Sequence, residues 1–345
     1  MKKKTTTADT GELTPAALMQ LGSAFAHAKA LLSAIELDLC TELGKGPRTE
    51  EQIRTALGLH PRVTWEWLSM LVALGVLERD GERYRNTPGS ARFLDRSKPS
   101  YTGGFLERAN RVLFPSWVHL TDALRTGEPQ ARHIEADDLF DSPYRKPEEV
   151  EAFLTMMDSL TSAIGPALAK TFDWSTVKSV VDVGGARGNL LSLVLAEHEH
   201  LTGTVFDLAP LAAPAARLAE RAGLADRLHF HAGSFFEDGL PEADAMIIGH
   251  VLHDWDAAQR QVIVDKAFAA IRPGGSVLLY DSMLDADDPD LARLTISVHM
   301  KLMTPGGAEY TVAEGTEMLH RAGFTDVEPL PLGALDTLLV ARKPE

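Results

Sequence analysis

The feature that most constrains the chain is the run Val180-Val181-Asp182-Val183-Gly184-Gly185-Ala186-Arg187-Gly188-Asn189. A short apolar strand ends in an acid, three glycines follow within five positions, and a helical apolar stretch begins at Leu190. Glycines at such a junction allow a tight turn and let a ligand approach the backbone. Short apolar runs at 179–183, 203–206, 228–230, 245–248 and 276–280 alternate with helical patterns at 190–196, 211–222 and 257–271. This alternation predicts a doubly wound parallel sheet, with the glycine turn at its first strand-to-helix junction. The next strand ends Val205-Phe206-Asp207, where an acid can accept hydrogen bonds from both hydroxyls of a ribose. A helix over 312–322 and a last strand over 335–342 complete the pattern. The spacing of the glycines departs from G-x-G-x-x-G, which argues against a nicotinamide dinucleotide.

The first hundred residues read differently. Apolar positions from Ala17 to Leu39 recur at helical spacing, predicting one helix over 14–43. Thr49 caps a short helix that ends near Gly58, a third helix runs over 61–74, and Asp80-Gly81 marks a hairpin turn. Helix, helix, helix and hairpin form a winged-helix pattern. Such a module reads DNA or serves in dimerisation. DNA readers place basic residues along the third helix, whereas here that helix carries Arg62, Trp65, Glu66 and Trp67, which favours dimerisation.

Charge supports that choice. Residues 1–100 carry 14 basic against 12 acidic side chains, and residues 101–345 carry 20 against 37. The acidic part repels nucleic acid. No stretch approaches the length of a membrane span, and the basic start at Met1–Thr7 is not followed by a signal-type apolar run before Gly11-Glu12. One cysteine, Cys40, excludes a disulfide framework and a cysteine zinc finger and fits a reducing cytoplasm. Between the two parts, 101–175 reads as a helical bridge with breaks at Pro115, Gly127-Glu128-Pro129 and Ser142-Pro143. Its apolar face includes Phe105, Leu113, Phe114, Trp117, Phe140, Phe153, Met156 and Met157. The expected domains are therefore 1–100, 101–175 and 176–345.

Three further segments carry a resemblance. They are Gly233-Ser234-Phe235-Phe236, the run Gly249-His250-Val251-Leu252-His253-Asp254-Trp255, and Pro273-Gly274-Gly275. With Asp182-x-Gly-Gly-x-x-Gly and the winged N-terminus, they resemble the S-adenosylmethionine (SAM)-dependent O-methyltransferases of the caffeate type, over about residues 14–342. The resemblance implies an α/β fold: a class I SAM-methyltransferase, Rossmann-like sheet with an N-terminal winged-helix dimerisation domain and hence a homodimer. It implies SAM contacts at Asp182, Gly184, Gly185, Asp207, Leu208, Ser234, Phe235 and Gly249. Two of these depart from the family, which often has an acid at Ser234 and, in plant members, a Lys at Gly249. His253 falls on the family's general base, with Asp254 beside it and the family's flanking acids near Asp281 and Glu309. An imidazole there can take a phenolic proton while the oxygen attacks the methyl group.

A last departure is His299, in the stretch 294–307 that matches a helix lining the acceptor pocket. The family usually has Asn or Asp there. His250, His253 and His299 together would suit Zn or Fe with an open position. That arrangement resembles the α-keto acid C-methyltransferases of the same fold, in which a metal holds a 2-oxo acid and stabilises its enolate. Metal-assisted methylation at the β-carbon of a small 2-oxo acid is the main expectation, with Arg108, Arg111 or Lys301 as candidate carboxylate partners. Metal-free O-methylation of a phenolic hydroxyl is the alternative. A winged-helix regulator with a degenerate methyltransferase domain is a third reading. His198, His200, His229, His231 and His320 are expected to carry no function.

Overall fold

Helix capping organises the N-terminal part. The computed structural model describes residues 13–98, 100–131, 147–288 and 290–345. Helix α1 (Pro15–Glu36) starts at Thr14, whose hydroxyl accepts from the Ala17 amide, with Pro15 in the first turn. The single helix expected over 14–43 is two. Asp38 takes φ +54°, and the chain restarts as α2 (Leu39–Gly44). The apolar periodicity runs through the break because Ala34, Leu39 and Leu43 enter one core. Strand β1 (Arg48–Thr49) leads into α3 (Glu50–Leu57), where Thr49 and Gln52 cap each other reciprocally. Helix α4 (Pro61–Ala73) and strands β2 (Leu77–Asp80) and β3 (Arg83–Asn86) follow. Asp80 pairs with Arg83, so the turn is Gly81-Glu82, one residue later than expected. These strands form a sheet of order β1-β3-β2 over a core of Leu39, Ile53, Leu68, Leu71, Leu77 and Tyr84. The outer side of α1 leaves Leu18, Met19, Leu21 and Phe25 at least half exposed.

Short helices α5 (Pro88–Phe93), α6 (Gly104–Arg108), α7 (Phe114–Val118) and α8 (Leu120–Thr126) precede the long α9 (Pro147–Thr171). The chain divides into two compact units, Met1–Asn110 and Arg111–Glu345. The helices expected as one bridge are thus split, α6 falling in the first unit and α7–α9 in the second. The expected Ser142-Pro143 break, Phe140 and the segments Met1–Thr7 and Gly11-Glu12 lie outside the described residues.

The second unit is a seven-stranded sheet. In chain order it uses β4 (Ser179–Val183), α10 (Asn189–Glu197), β5 (Thr202–Asp207), α11 (Ala212–Arg221), β6 (Leu228–Ala232), β7 (Ala243–Gly249), α12 (Ala257–Ala270), β8 (Ile271–Asp281), α13 (Leu291–Met303), α14 (Val312–Ala322), β9 (Thr325–Leu332) and β10 (Asp336–Arg342). The order is β6-β5-β4-β7-β8-β10-β9. Strands β4 to β8 pair in parallel, whereas β10 runs antiparallel to both β8 and β9. The sheet is therefore mixed, not wholly parallel as expected. Strand β9 was not anticipated: Pro329 and Pro331 argue against a strand, and it is tolerated because it lies at the sheet edge.

Strand alternation splits the core. Val181, Val183, Met246, Ile248 and Leu279 pack with α12 and α14 through Ile263, Val264 and Leu319. Val180, Val205, Ile247 and Leu278 face Leu168, Leu191 and Leu195 of α9 and α10. The parallel register brings the carboxyl ends of β5, β4, β7 and β8 side by side, and with them Asp207, Asp182, Gly249 and Asp281. Ligands of open α/β sheets bind at such an edge. Among the described residues, no helix is long and apolar enough to cross a membrane.

Candidate active site

The glycine turn closes over one buried acid, Asp182, and one half-buried acid, Asp207. Gly184 sits at φ +72°, and a Cβ there would come within 2.7 Å of Val251 Cγ2. Its amide donates to the Phe206 carbonyl at 2.8 Å, tying the turn to β5. Asp207 accepts from the Ala186 amide at 2.8 Å through one oxygen and from the Leu208 amide at 2.7 Å through the other. Each oxygen keeps a second lone pair for a ligand hydroxyl. Asp182 Oδ2 is buried and has no hydrogen-bond partner among the described residues. Burial, with the Asp207 charge adding to it, pushes Asp182 up to about 7, and burial raises Asp207 to about 6 against the pull of its two amides. A cavity beside these acids is lined by Asp182, Gly184, Gly185, Asp158, Gly249 and Tyr280, among others.

Five residues that line this cavity, Asp158, Thr161, Arg187, Asn189 and Tyr280, carry no role in the sequence reading. Arg187 of the turn pairs with Glu151 at 2.9 Å and with Asp158, both on α9, and Asn189 Nδ2 donates to Thr161 Oγ1 at 2.8 Å. These contacts hold α9 against the glycine turn. Tyr280, fully buried, lies opposite Gly249 in the β7–β8 register, and a Cβ on residue 249 would overlap its ring. The aromatic ring thus fills the space that a side chain on residue 249 would need. Nothing in the local sequence signals it, because the contact is between strands.

The adenine-side residues are partly engaged elsewhere. Ser234 Oγ accepts from the Phe236 amide at 3.3 Å, and the Ser234 amide donates to Asp238 Oδ2 at 2.9 Å. Its hydroxyl therefore serves its own turn. Phe235 packs edge-on against Phe236 and Trp255, with centroids 4.9 and 5.8 Å apart.

His253 lies in a 3-10 turn, Leu252–Asp254, directly after β7. Its Nδ1 is 2.7 Å from Glu309 Oε1 and 3.4 Å from Asp281 Oδ1, and all three side chains are buried. Burial lowers its pKa, but the Asp281 and Glu309 charges and the Glu309 hydrogen bond outweigh that and push it up to about 10. Tyr310 donates its hydroxyl to Asp281 Oδ2 at 2.7 Å. Asp281 and Glu309, rather than Asp254, are the acids in contact with the ring. Asp254 adds a smaller electrostatic pull.

The expected trio of imidazoles does not assemble. Among the described residues, the metal-capable donors that lie within 4.8 Å of one another are those of His253, Asp281 and Glu309. His250 takes φ +52°, stacks parallel to His253 at 5.6 Å, and its Nε2 pairs with Asp336 at 3.1 Å. His299 lies on α13 with its ring edge-on to Trp117 at 5.4 Å, and burial lowers its pKa. The physical reason is that each ring has a different neighbour: Asp336 for His250, Glu309 for His253 and the Trp117 ring for His299. Arg111 and Lys301 are exposed. His198 and His200 bond the carbonyls of Ala169 and Trp174 at 2.8 and 2.9 Å, as structural residues do.

Comparison with known proteins agrees with this geometry. A sequence model of the O-methyltransferase domain matches residues 117–325, and one of the O-methyltransferase dimerisation domain matches residues 19–96. The chain is 42% identical to the tetracenomycin polyketide synthesis 8-O-methyl transferase TcmO of Streptomyces glaucescens, over 96% of this chain and 97% of that one. It is 36% identical to the N,N-dimethyltransferase OxyT of Streptomyces rimosus, over 95% and 96%. The crystal structure of human N-acetylserotonin methyltransferase in complex with SAM superposes with a TM-score of 0.89 at 28% identity, covering 98% of this chain and all of that one. Both domain matches and the full-length relatives place the chain in one family: it belongs to the SAM-dependent O-methyltransferases.

Proposed function

We propose that this methyltransferase of secondary metabolism acts on an aromatic hydroxyl of a small acceptor, with His253 as general base. The observation that carries the reading is the 2.7 Å contact between His253 Nδ1 and Glu309 Oε1. A proton on Nδ1 directed at Glu309 fixes the tautomer and leaves Nε2 to take the hydroxyl proton. A base raised to about 10 is close in strength to a phenol, so the transfer is nearly balanced. The metal-assisted reading needed His299 beside His253, with or without His250, and it loses its support because His299 does not join the His253 cluster. The name of TcmO, an 8-O-methyl transferase of polyketide synthesis, supports a polyketide hydroxyl as the acceptor.

The cofactor fits the residues present. Asp182 Oδ2 and Asp158 Oδ1 are buried acceptors without partners among the described residues, and both acids line one cavity. The ammonium and ribose hydroxyls of SAM are donors. In this reading Asp182, Gly184 and Gly185 flank the methionine end, Asp207 and the Leu208 segment take the ribose, and Phe235 lies against the adenine, while Gly249 leaves room for Tyr280. SAM, when bound, supplies an electrophilic methyl group. The exposed α1 face of Leu18, Met19, Leu21 and Phe25 supports homodimerisation through the first unit.

The test offers SAM with an isotope-labelled methyl group to phenolic polyketides, aromatic amines and 2-oxo acids, and locates the label by NMR. Label on oxygen is expected. Label on nitrogen alone, or on the β-carbon of a 2-oxo acid, overturns the reading.

A further inference from the structure

Arg260 is a buried guanidinium outside the His253–Glu309–Asp281 cluster. It stands in the first turns of α12, 9% exposed, with its amide on the Asp256 carbonyl at 2.9 Å. Its Nε donates to the Leu252 carbonyl at 2.9 Å, and its Nη2 donates to the Ala308 carbonyl at 2.6 Å. Leu252 immediately precedes His253, and Ala308 immediately precedes Glu309. A peptide unit is planar, so fixing the carbonyl of one residue fixes the amide of the next. The guanidinium is itself a rigid planar fork, so it sets the separation of the two peptide planes from which His253 and Glu309 spring.

Two further contacts extend the brace. The guanidinium carbon lies 4.8 Å from the centre of the Tyr310 ring, and the Tyr310 hydroxyl holds Asp281 at 2.7 Å. Gly307 has no side chain, and a Cβ there would fall 2.7 Å from the His253 carbonyl, so the two loops meet backbone to backbone. One side chain therefore touches the support of all three members of the His253–Glu309–Asp281 cluster without touching any of them.

We propose that Arg260 is a positioning residue whose forked hydrogen bonds hold His253 and Glu309 at their bonding distance. Its consequence for catalysis rests on His253 being the base, but the positioning itself is tested without methyl transfer. Lys has one compact donor head and cannot reproduce the fork, and Leu has none.

The test uses the full chain saturated with S-adenosylhomocysteine. A short, buried Nδ1–H to carboxylate bond gives a proton resonance downfield of the amide envelope, assigned by its loss in His253→Gln. Arg260→Leu is expected to abolish it and Arg260→Lys to shift it upfield, with S-adenosylhomocysteine affinity by calorimetry within about threefold of wild type. A resonance unchanged in both variants overturns the proposal, as does its absence from wild type. Loss of the resonance together with a tenfold or greater loss of cofactor affinity also overturns it, because that marks general damage. If Arg260→Leu does not fold, Arg260→Lys carries the test, since it keeps the charge and the aliphatic stem. Failure of the base reading would appear elsewhere, as methyl transfer that survives His253→Gln.

Discussion

Tyr280 occupies the space that any side chain on Gly249 would need: the two residues face each other across β7 and β8, and a Cβ on residue 249 would overlap the tyrosine ring carbons. Gly249→Ala is therefore expected to destabilise by about 1–3 kcal/mol through overpacking and to weaken S-adenosylhomocysteine binding. The penalty should shrink when Tyr280→Val is added, giving a coupling energy in a double-mutant cycle. Thermal melts and calorimetry of the four proteins measure it. Additive effects would show that the ring and the glycine do not compete for one space.

Asp182 is expected to trade stability for binding. Its folded pKa, about 7, lies above its ordinary value of 3.8, so the folded state binds the proton more tightly. Its stabilising contribution is then greatest below about 4 and is lost as pH rises toward 7. Asp182→Asn removes that buried charge and should raise the melting temperature of the cofactor-free protein at pH 8. The same change should weaken S-adenosylhomocysteine binding by about tenfold, the worth of one charge-assisted hydrogen bond. Unchanged affinity would remove Asp182 from the cofactor site.

Activity should climb with pH well beyond neutrality. His253 is faced by Glu309, Asp281 and Asp254, with His250 stacked on it, and is pushed up to about 10. Because only the neutral ring accepts a proton, kcat/KM for a phenolic acceptor should rise from pH 7 toward that value. The sign for stability is opposite: the ion pair contributes fully below 6.5 and is lost as pH rises through about 10. His253→Gln should lower kcat by about 10²-fold or more and flatten the profile. A profile with a midpoint near 6.5 would show that the carboxylates do not control the base.

His299→Asn should leave the metal content of the purified protein unchanged and activity insensitive to chelators, because His299 contacts Trp117 rather than the His253 cluster. Its effect should fall on KM for the acceptor. Elemental analysis with steady-state kinetics decides it, and a metal stoichiometry that drops with the substitution would restore the metal reading.

The parts legible in the sequence were those set by local chemistry. The strand Ser179–Val183 was read to the residue because an apolar run meets a glycine turn, and Thr49 announced its helix through a reciprocal cap. The break at Asp38 was hidden because apolar periodicity continues across it, although Asp is among the side chains that accept positive φ. His299 misled because an unusual residue type at a pocket position says nothing about which way its ring faces. Arg187, Tyr280 and Arg260 were silent for a related reason: each matters through a partner far away in sequence, such as Asp158, Gly249 or Ala308.

The antiparallel placement of β10 bears on how the protein is made. Strand β8, with its apolar run Val277-Leu278-Leu279-Tyr280, has β7 on one side and waits on the other for residues 336–342, synthesised some sixty positions later. Asp336, the partner of His250, arrives on the same strand. A nascent chain that has not yet made β10 carries an exposed hydrophobic sheet edge and a His250 without its carboxylate partner at once. The segment that closes the sheet edge thus also delivers the carboxylate that pairs with His250, the ring stacked on His253.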